Sequence, residues 1–107
     1  MENLIEQIHK LINFADYQQD AIVSKTILKS ESGTFTYFAF DKSQILSEHT
    51  APFDAIVQII DGKAEIKISG NPHILSAGEF IIMPANKPHS VLAIEKFKML
   101  LTMFKSS

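Results

Sequence analysis

A chain of 107 residues, 46% of them hydrophobic and 21% charged, has room for one hydrophobic core and the composition of an ordinary globular domain. Its formal net charge of −2 shows no basic excess, so no nucleic-acid partner is expected, and no block of like charge marks a tail or a membrane arm. With no cysteine, disulfides, thiolate metal ligands and a cysteine nucleophile are all excluded.

The first residues, Met1-Glu2-Asn3-Leu4, lack a basic segment followed by a long apolar one, and no apolar run reaches the length of a membrane span. A soluble cytoplasmic protein with no membrane partner is the expectation. Residues 3–14 place Leu4, Ile5, Ile8, Leu11 and Ile12 at helical spacing, with Glu2, Glu6 and Lys10 off the stripe. Asn3 followed by Glu6 resembles a capping box. The spacing predicts a short N-terminal α-helix, which needs a surface to lie on and so reads as a lid or outer brace. We take residues 1–19 as helix and connector and 20–107 as a β-barrel domain.

From residue 20 the pattern changes to short β segments. Residues 21–29 and 34–40 are rich in β-branched and aromatic side chains and flank a turn at Ser30-Glu31-Ser32-Gly33. Residues 53–60 and 63–69 flank Asp61-Gly62, the strongest short hairpin signal in the chain. Gly70-Asn71-Pro72 marks another turn. Further strands are expected at 74–75, 80–83, 90–94 and 97–104. Many short strands divided by Gly and Pro turns predict an all-β sandwich or barrel.

The strand faces differ. In 63–69, Ala64, Ile66 and Ile68 alternate with polar residues, so one face meets water. In 53–60 both faces are apolar, with Ala55, Val57 and Ile59 opposite Ile56 and Ile60. In 97–104, Phe97, Met99, Leu101 and Met103 oppose Leu100 and Phe104. Such strands need cover on the outside as well. The N-terminal segment supplies some, and a second subunit is the expected cover for the rest, which predicts a homodimer.

Two histidines stand out. Glu48-His49-Thr50-Ala51 runs on to Asp61-Gly62, and Gly78-Glu79-Phe80-Ile81-Ile82-Met83-Pro84 runs on to Pro88-His89. In these residues the chain resembles a small single-domain cupin, RmlC-like, over residues 34–104. The resemblance implies a double-stranded β-helix, or jelly-roll barrel, of antiparallel strands. The family's first motif has two histidines one residue apart, a glutamate, and a glycine seven residues later. Its second runs from a glycine through five residues to a proline and on to a histidine. Asn86 stands where the family often has glycine, a swap that keeps tolerance for a left-handed backbone.

The departures bear on chemistry. Counting back from Gly62, the glutamate position falls on Ala55, and the second histidine on Ala51, or on Thr50 if the loop is one residue longer. His49 and His89 remain as candidate metal ligands, for Zn, Fe, Ni or Mn at low occupancy, where catalytic zinc takes three protein ligands and oxygenase iron two histidines and a carboxylate. The nearby carboxylates, Glu48 and Asp54, have the wrong strand parity unless Pro52 introduces a bulge. The pair is read in three ways: a weak metal site completed by water or ligand, polar handles on an apolar cavity, or the remnant of a lost site.

His9 and His73 read as surface residues. Met83, Met99 and Met103 read as core filling. No nucleophile elbow is present. The preferred expectation is a small-molecule-binding module whose cavity is formed by His49, Ala51, Ala55, Val57, Ile59, Met83 and His89. The alternatives are a metal-dependent enzyme, dioxygenase-like or isomerase-like as the resemblance implies, and a structural homodimer whose barrel is merely a core. No residue is assigned as catalytic.

Overall fold

In the computed structural model, which describes residues 3–105, the chain folds into two antiparallel sheets. The strands are β1 (Ile22–Ser30), β2 (Gly33–Phe40), β3 (Ile45–His49), β4 (Phe53–Asp61), β5 (Lys63–Ile68), β6 (Asn71–Ser76), β7 (Phe80–Met83), β8 (His89–Ala93) and β9 (Phe97–Lys105). One sheet runs β1-β2-β9-β4-β7 and the other β3-β8-β5-β6, the two walls of a jelly-roll barrel. The all-β architecture is therefore the one the alternation predicts. Among the described residues no helix is long and apolar enough to cross a membrane.

Asp61-Gly62 is a corner and not a hairpin. β4 pairs with β7 and β9, while β5 pairs with β6 and β8, so Gly62 carries the chain from one sheet to the other. Its φ is +80°, and a Cβ there would lie 1.9 Å from the Lys96 carbonyl oxygen. The turn expected at 70–72 sits one step earlier, at Ser69 and Gly70, both with positive φ as a tight two-residue hairpin requires. Pro72 then falls inside β6, which is tolerated because β6 is an edge strand. Strand β3 has no alternating pattern in its sequence and was not anticipated.

The N-terminal segment departs most from its periodicity. In place of a helix over 3–14 there is a single 3-10 turn, Leu11–Asn13. Glu6 has φ +63°, which ends any right-handed helix in its first turn, and Asn3 accepts a hydrogen bond from the Ile5 N–H (3.2 Å) without a helix to cap. Helical propensity in a piece this short does not offset the cost of nucleation. The following residues do brace the barrel: Phe14 and Ala15 pack on the outer face of the five-stranded sheet and bury Tyr37 and Leu100.

Polar anchors hold this strap in place. The Tyr37 hydroxyl donates to the Leu11 carbonyl, and the buried Lys98 ammonium donates to the Ile12 carbonyl at 2.6 Å. The Tyr17 hydroxyl donates to Asp61 at 2.6 Å. Burial first, and the Asp61 carboxylate second, raise the Tyr17 hydroxyl well above its ordinary range, so it stays a donor at physiological pH. A hydrogen bond to a charged acceptor contributes about 1.5–3 kcal/mol. Tyr17→Phe is accordingly expected to lower the free energy of unfolding by about 2 kcal/mol, read as a shift of the urea midpoint at constant slope.

Between the sheets the barrel is filled unevenly. At one end Phe40 stacks on Phe97 (centroids 4.6 Å apart) beside Val57, Ile59 and Ile66, all essentially inaccessible to solvent. At the other end the inward positions carry Ala51 and Ala55, and there the packing opens into a cavity.

Candidate functional site

The cavity occupies about 320 Å³. From the β4 side it is lined by Ala51, Phe53, Ala55 and, across the β4–β7 ladder, Met83. Met99, Leu101 and Met103 of β9, with Phe38 of β2, complete that wall. The opposite wall is Leu46, Val91 and the two histidines. Among the described residues, His49 and His89 are thus the only polar side chains that line the cavity. An empty sealed void of this size would cost on the order of 8 kcal/mol, comparable with the whole stability of a domain. This one opens toward solvent where His49 is exposed.

Of the residues placed here from sequence, His49, Ala51, Ala55, Met83 and His89 come together around the cavity. Val57 and Ile59 do not line it, because their larger side chains close the packed end of the barrel. Phe38, Leu46, Phe53, Val91, Met99, Leu101 and Met103 were missed as wall residues. Strand parity carries the signal for several: Val91 lies two residues from His89, and Met99, Leu101 and Met103 share one face of β9.

His49 faces inward only because β3 is irregular. Leu46 pairs with Val91 and His49 pairs with His89, so three steps along β3 match two along β8. A regular strand would put Leu46 and His49 on opposite faces; the bulge puts both inside. His89 is aimed by the loop from Pro84 to Pro88. That loop is tied down by Asn86 N–H to the Ala51 carbonyl (2.8 Å), Ser69 N–H to the Pro88 carbonyl (2.8 Å) and Ala85 N–H to Asp54 Oδ1 (2.9 Å). Asn86 does adopt the left-handed conformation, φ +65°. Asp54 is exposed and engaged with the loop backbone, and Glu48 is exposed, so neither carboxylate joins the histidines. Among the described residues no three His, Cys, Asp or Glu side chains cluster as a metal site would need.

The two imidazoles face one another, Nε2 to Nε2 at 3.0 Å with ring centroids 4.2 Å apart. Each also points Nδ1 at the carbonyl two residues before it: His49 at Ser47 (2.8 Å) and His89 at Lys87 (3.3 Å). A carbonyl only accepts, so both Nδ1 atoms carry hydrogen in those contacts, which leaves two bare Nε2 lone pairs converging on one point. A proton, a hydrogen-bond donor or a cation at that point relieves the repulsion. In a neutral pair with nothing bound, one of the two rings must carry its hydrogen on Nε2, giving up its Nδ1 contact, for the pair to hydrogen-bond at 3.0 Å.

Burial pushes the pKa of His89 down and the nearby His49 ring adds to this, with the Lys87 contact opposing. The unfolded chain then takes up the proton more readily than the folded one. The corresponding stability is present above about pH 6.5, the ordinary histidine value, and is lost as pH falls through the lower folded pKa. Urea midpoints measured downward from pH 7.5 are expected to fall in this window, and His89→Asn should remove that part of the slope.

Comparison with known proteins agrees with this geometry. The cupin domain family matches residues 36–104. A conserved protein of unknown function from Streptococcus pyogenes is 34% identical, covering 100% of this chain and 92% of that one at a TM-score of 0.91. The chain belongs to the cupin family. A cupin 2 conserved barrel domain protein from Leptotrichia buccalis is 38% identical over 88% of this cupin, which spans only 46% of that longer chain (TM-score 0.85). A cupin superfamily protein from Desulfitobacterium hafniense, 22% identical with a TM-score of 0.89, shares the fold. No curated protein matches the sequence. Ala55 and Ala51, on which the resemblance places two of the family's ligand positions (the latter on Thr50 if the loop is one residue longer), line the cavity of this cupin beside His49 and His89.

Proposed function

We propose that this cupin binds a small, largely apolar molecule with a single hydrogen-bonding head group. The body of the ligand fills the space between Ala55, Met83, Leu101 and Met103, and the head group meets His49 and His89. The observation that carries this is the cavity itself: about 320 Å³, apolar except for two imidazoles whose Nε2 atoms share one focus. That volume is roughly twice the ~150 Å³ apolar cavity that takes up benzene. Three methionines give the wall an adaptable surface.

Calorimetric titration with 4-ethylphenol and with ethylbenzene tests the reading. The phenol should bind saturably, and ethylbenzene about 3–10-fold more weakly for want of one hydrogen bond. Ala55→Phe, which fills the cavity, should abolish both. Absence of binding heat for either compound up to its solubility limit would sink the proposal.

A second reading is metal binding, and one observation favours it. Two bonds of about 2.1 Å to neighbouring positions of an octahedral ion subtend an N···N distance of about 3.0 Å. The pair has that spacing, with each Nδ1–H on a backbone carbonyl as metal-bound histidines usually have. His49 and His89 would hold the ion weakly, and water or ligand oxygens would take the other positions. Bound there, a divalent cation would supply Lewis acidity, the basis of a dioxygenase-like or isomerase-like activity. Elemental analysis after equilibration with Ni²⁺ or Mn²⁺ and desalting tests this: below a tenth of an equivalent, the reading fails.

A further inference from the structure

The hydrogens of the two imidazoles restrict which head group the cavity can take. When each Nδ1 donates to its backbone carbonyl, His49 to Ser47 at 2.8 Å and His89 to Lys87 at 3.3 Å, neither ring has a hydrogen left. The site then offers two acceptors, the Nε2 atoms 3.0 Å apart, and no donor. Among the described residues no other polar side chain lines the cavity to supply one. A head group that leaves both rings in place must therefore bring two hydrogens to one point.

Common head groups differ on that count. A hydroxyl has one hydrogen. One Nε2 accepts it, and the other ring can meet the oxygen only by carrying its own hydrogen on Nε2, which costs that ring its Nδ1 contact. A carboxylate only accepts, so it costs both contacts. A primary ammonium has three hydrogens on one atom, enough for both Nε2 atoms with one to spare.

The geometry admits it. A nitrogen about 2.9 Å from each Nε2 sees them about 60° apart, against about 109° between its own N–H bonds, so each bond bends by about 25° and still holds. The third N–H turns toward the mouth, where His49 is exposed to solvent, so the charge is not stripped of water. No cationic side chain lines the cavity to repel it, and the rings of Phe38 and Phe53 on the wall offer aromatic faces that favour a cation. Hydrogen bonds from a cation are also about twice as strong as neutral ones.

We propose, on the footing of the binding function above, that the ligand is a small primary amine held as its ammonium. Its N–H groups bond to Nε2 of both His49 and His89, and its apolar body lies among Met83, Met99 and Met103.

Calorimetric titration with 2-phenylethylamine and 2-phenylethanol, which share one skeleton, tests the proposal at pH 7.5. There the imidazoles are neutral and the amine is charged. The amine should bind about 10-fold more tightly than the alcohol or better. His49→Leu, at an exposed position, should bring the amine down to the level of the alcohol and leave ethylbenzene binding unchanged. If 4-ethylphenol binds but the amine binds no more tightly than the alcohol, or keeps its advantage in His49→Leu, the ammonium assignment is overturned and the apolar cavity stands. If the phenol, the amine and the alcohol all fail to bind, the binding function falls and takes the assignment with it.

Discussion

Replacing Ala55 by glutamate is expected to raise the affinity for Ni²⁺ or Mn²⁺ by about 100-fold or more, because it adds a carboxylate to a cavity that already holds two converging imidazoles. Ala55 lines that cavity beside Met83 and Met103, its neighbours across the ladders. A glutamate there has nothing to pair with in the metal-free protein. Its carboxyl should be driven toward the protonated form, and the variant should unfold more easily by a few kcal/mol. Added metal should then restore stability through mass action, so the two effects have opposite signs in one protein. Isothermal titration of Ala55→Glu against wild type measures the first, and thermal unfolding with and without metal the second. Equal affinities in the two proteins would mean that the imidazole pair does not present its Nε2 atoms to a common point.

Gly62→Ala is expected to destabilise the fold by about 3–5 kcal/mol, among the largest effects of any single methyl group here. Two causes add. The backbone at φ +80° is strained for any residue with a Cβ, at a cost of about 1 kcal/mol or more. The new Cβ would also lie 1.9 Å from the Lys96 carbonyl oxygen and 2.8 Å from Phe97. Phe97 is wholly buried and stacked on Phe40, so the corner cannot relax without disturbing the packed end of the barrel. Urea denaturation of the variant measures the loss; a decrease under about 1 kcal/mol would show that the corner moves freely.

What the sequence discloses about this molecule follows from the range of each interaction. The strands with clean alternation, such as 63–68, and those apolar on both faces are legible because burial acts residue by residue. The histidine pair is legible through motif spacing, since Gly62, Gly78 and Pro84 sit at turns whose geometry tolerates few alternatives and His89 opens the strand that follows. Asp61-Gly62 reads locally as a hairpin, and only the pairing of β4 and β5 with other strands makes it a corner. The bulge in β3 that turns His49 inward is a tertiary consequence of pairing with β8 and leaves no mark in Ser47-Glu48. The N-terminal segment shows the reverse error. Its helical periodicity is real, but Glu6 takes a left-handed conformation and the anchors on Tyr37 and Lys98 lie far away in sequence. The cavity walls were half visible: small residues at 51 and 55 indicated space, while the boundary between open and packed ends depends on where Phe40 and Phe97 stack.

That the barrel holds an accessible apolar cavity, with the two imidazoles at its polar end, is what the proposed binding requires. It is tested most directly by carbon-13 methyl spectra of the methionines during titration with 4-ethylphenol. Met83, Met99 and Met103 all line the cavity, so their methyl resonances should move together and saturate at one dissociation constant, accompanied by the ring protons of His49 and His89. If those methyl resonances stay fixed while the phenol is raised to its solubility limit, the barrel is closed to such ligands and the account is contradicted.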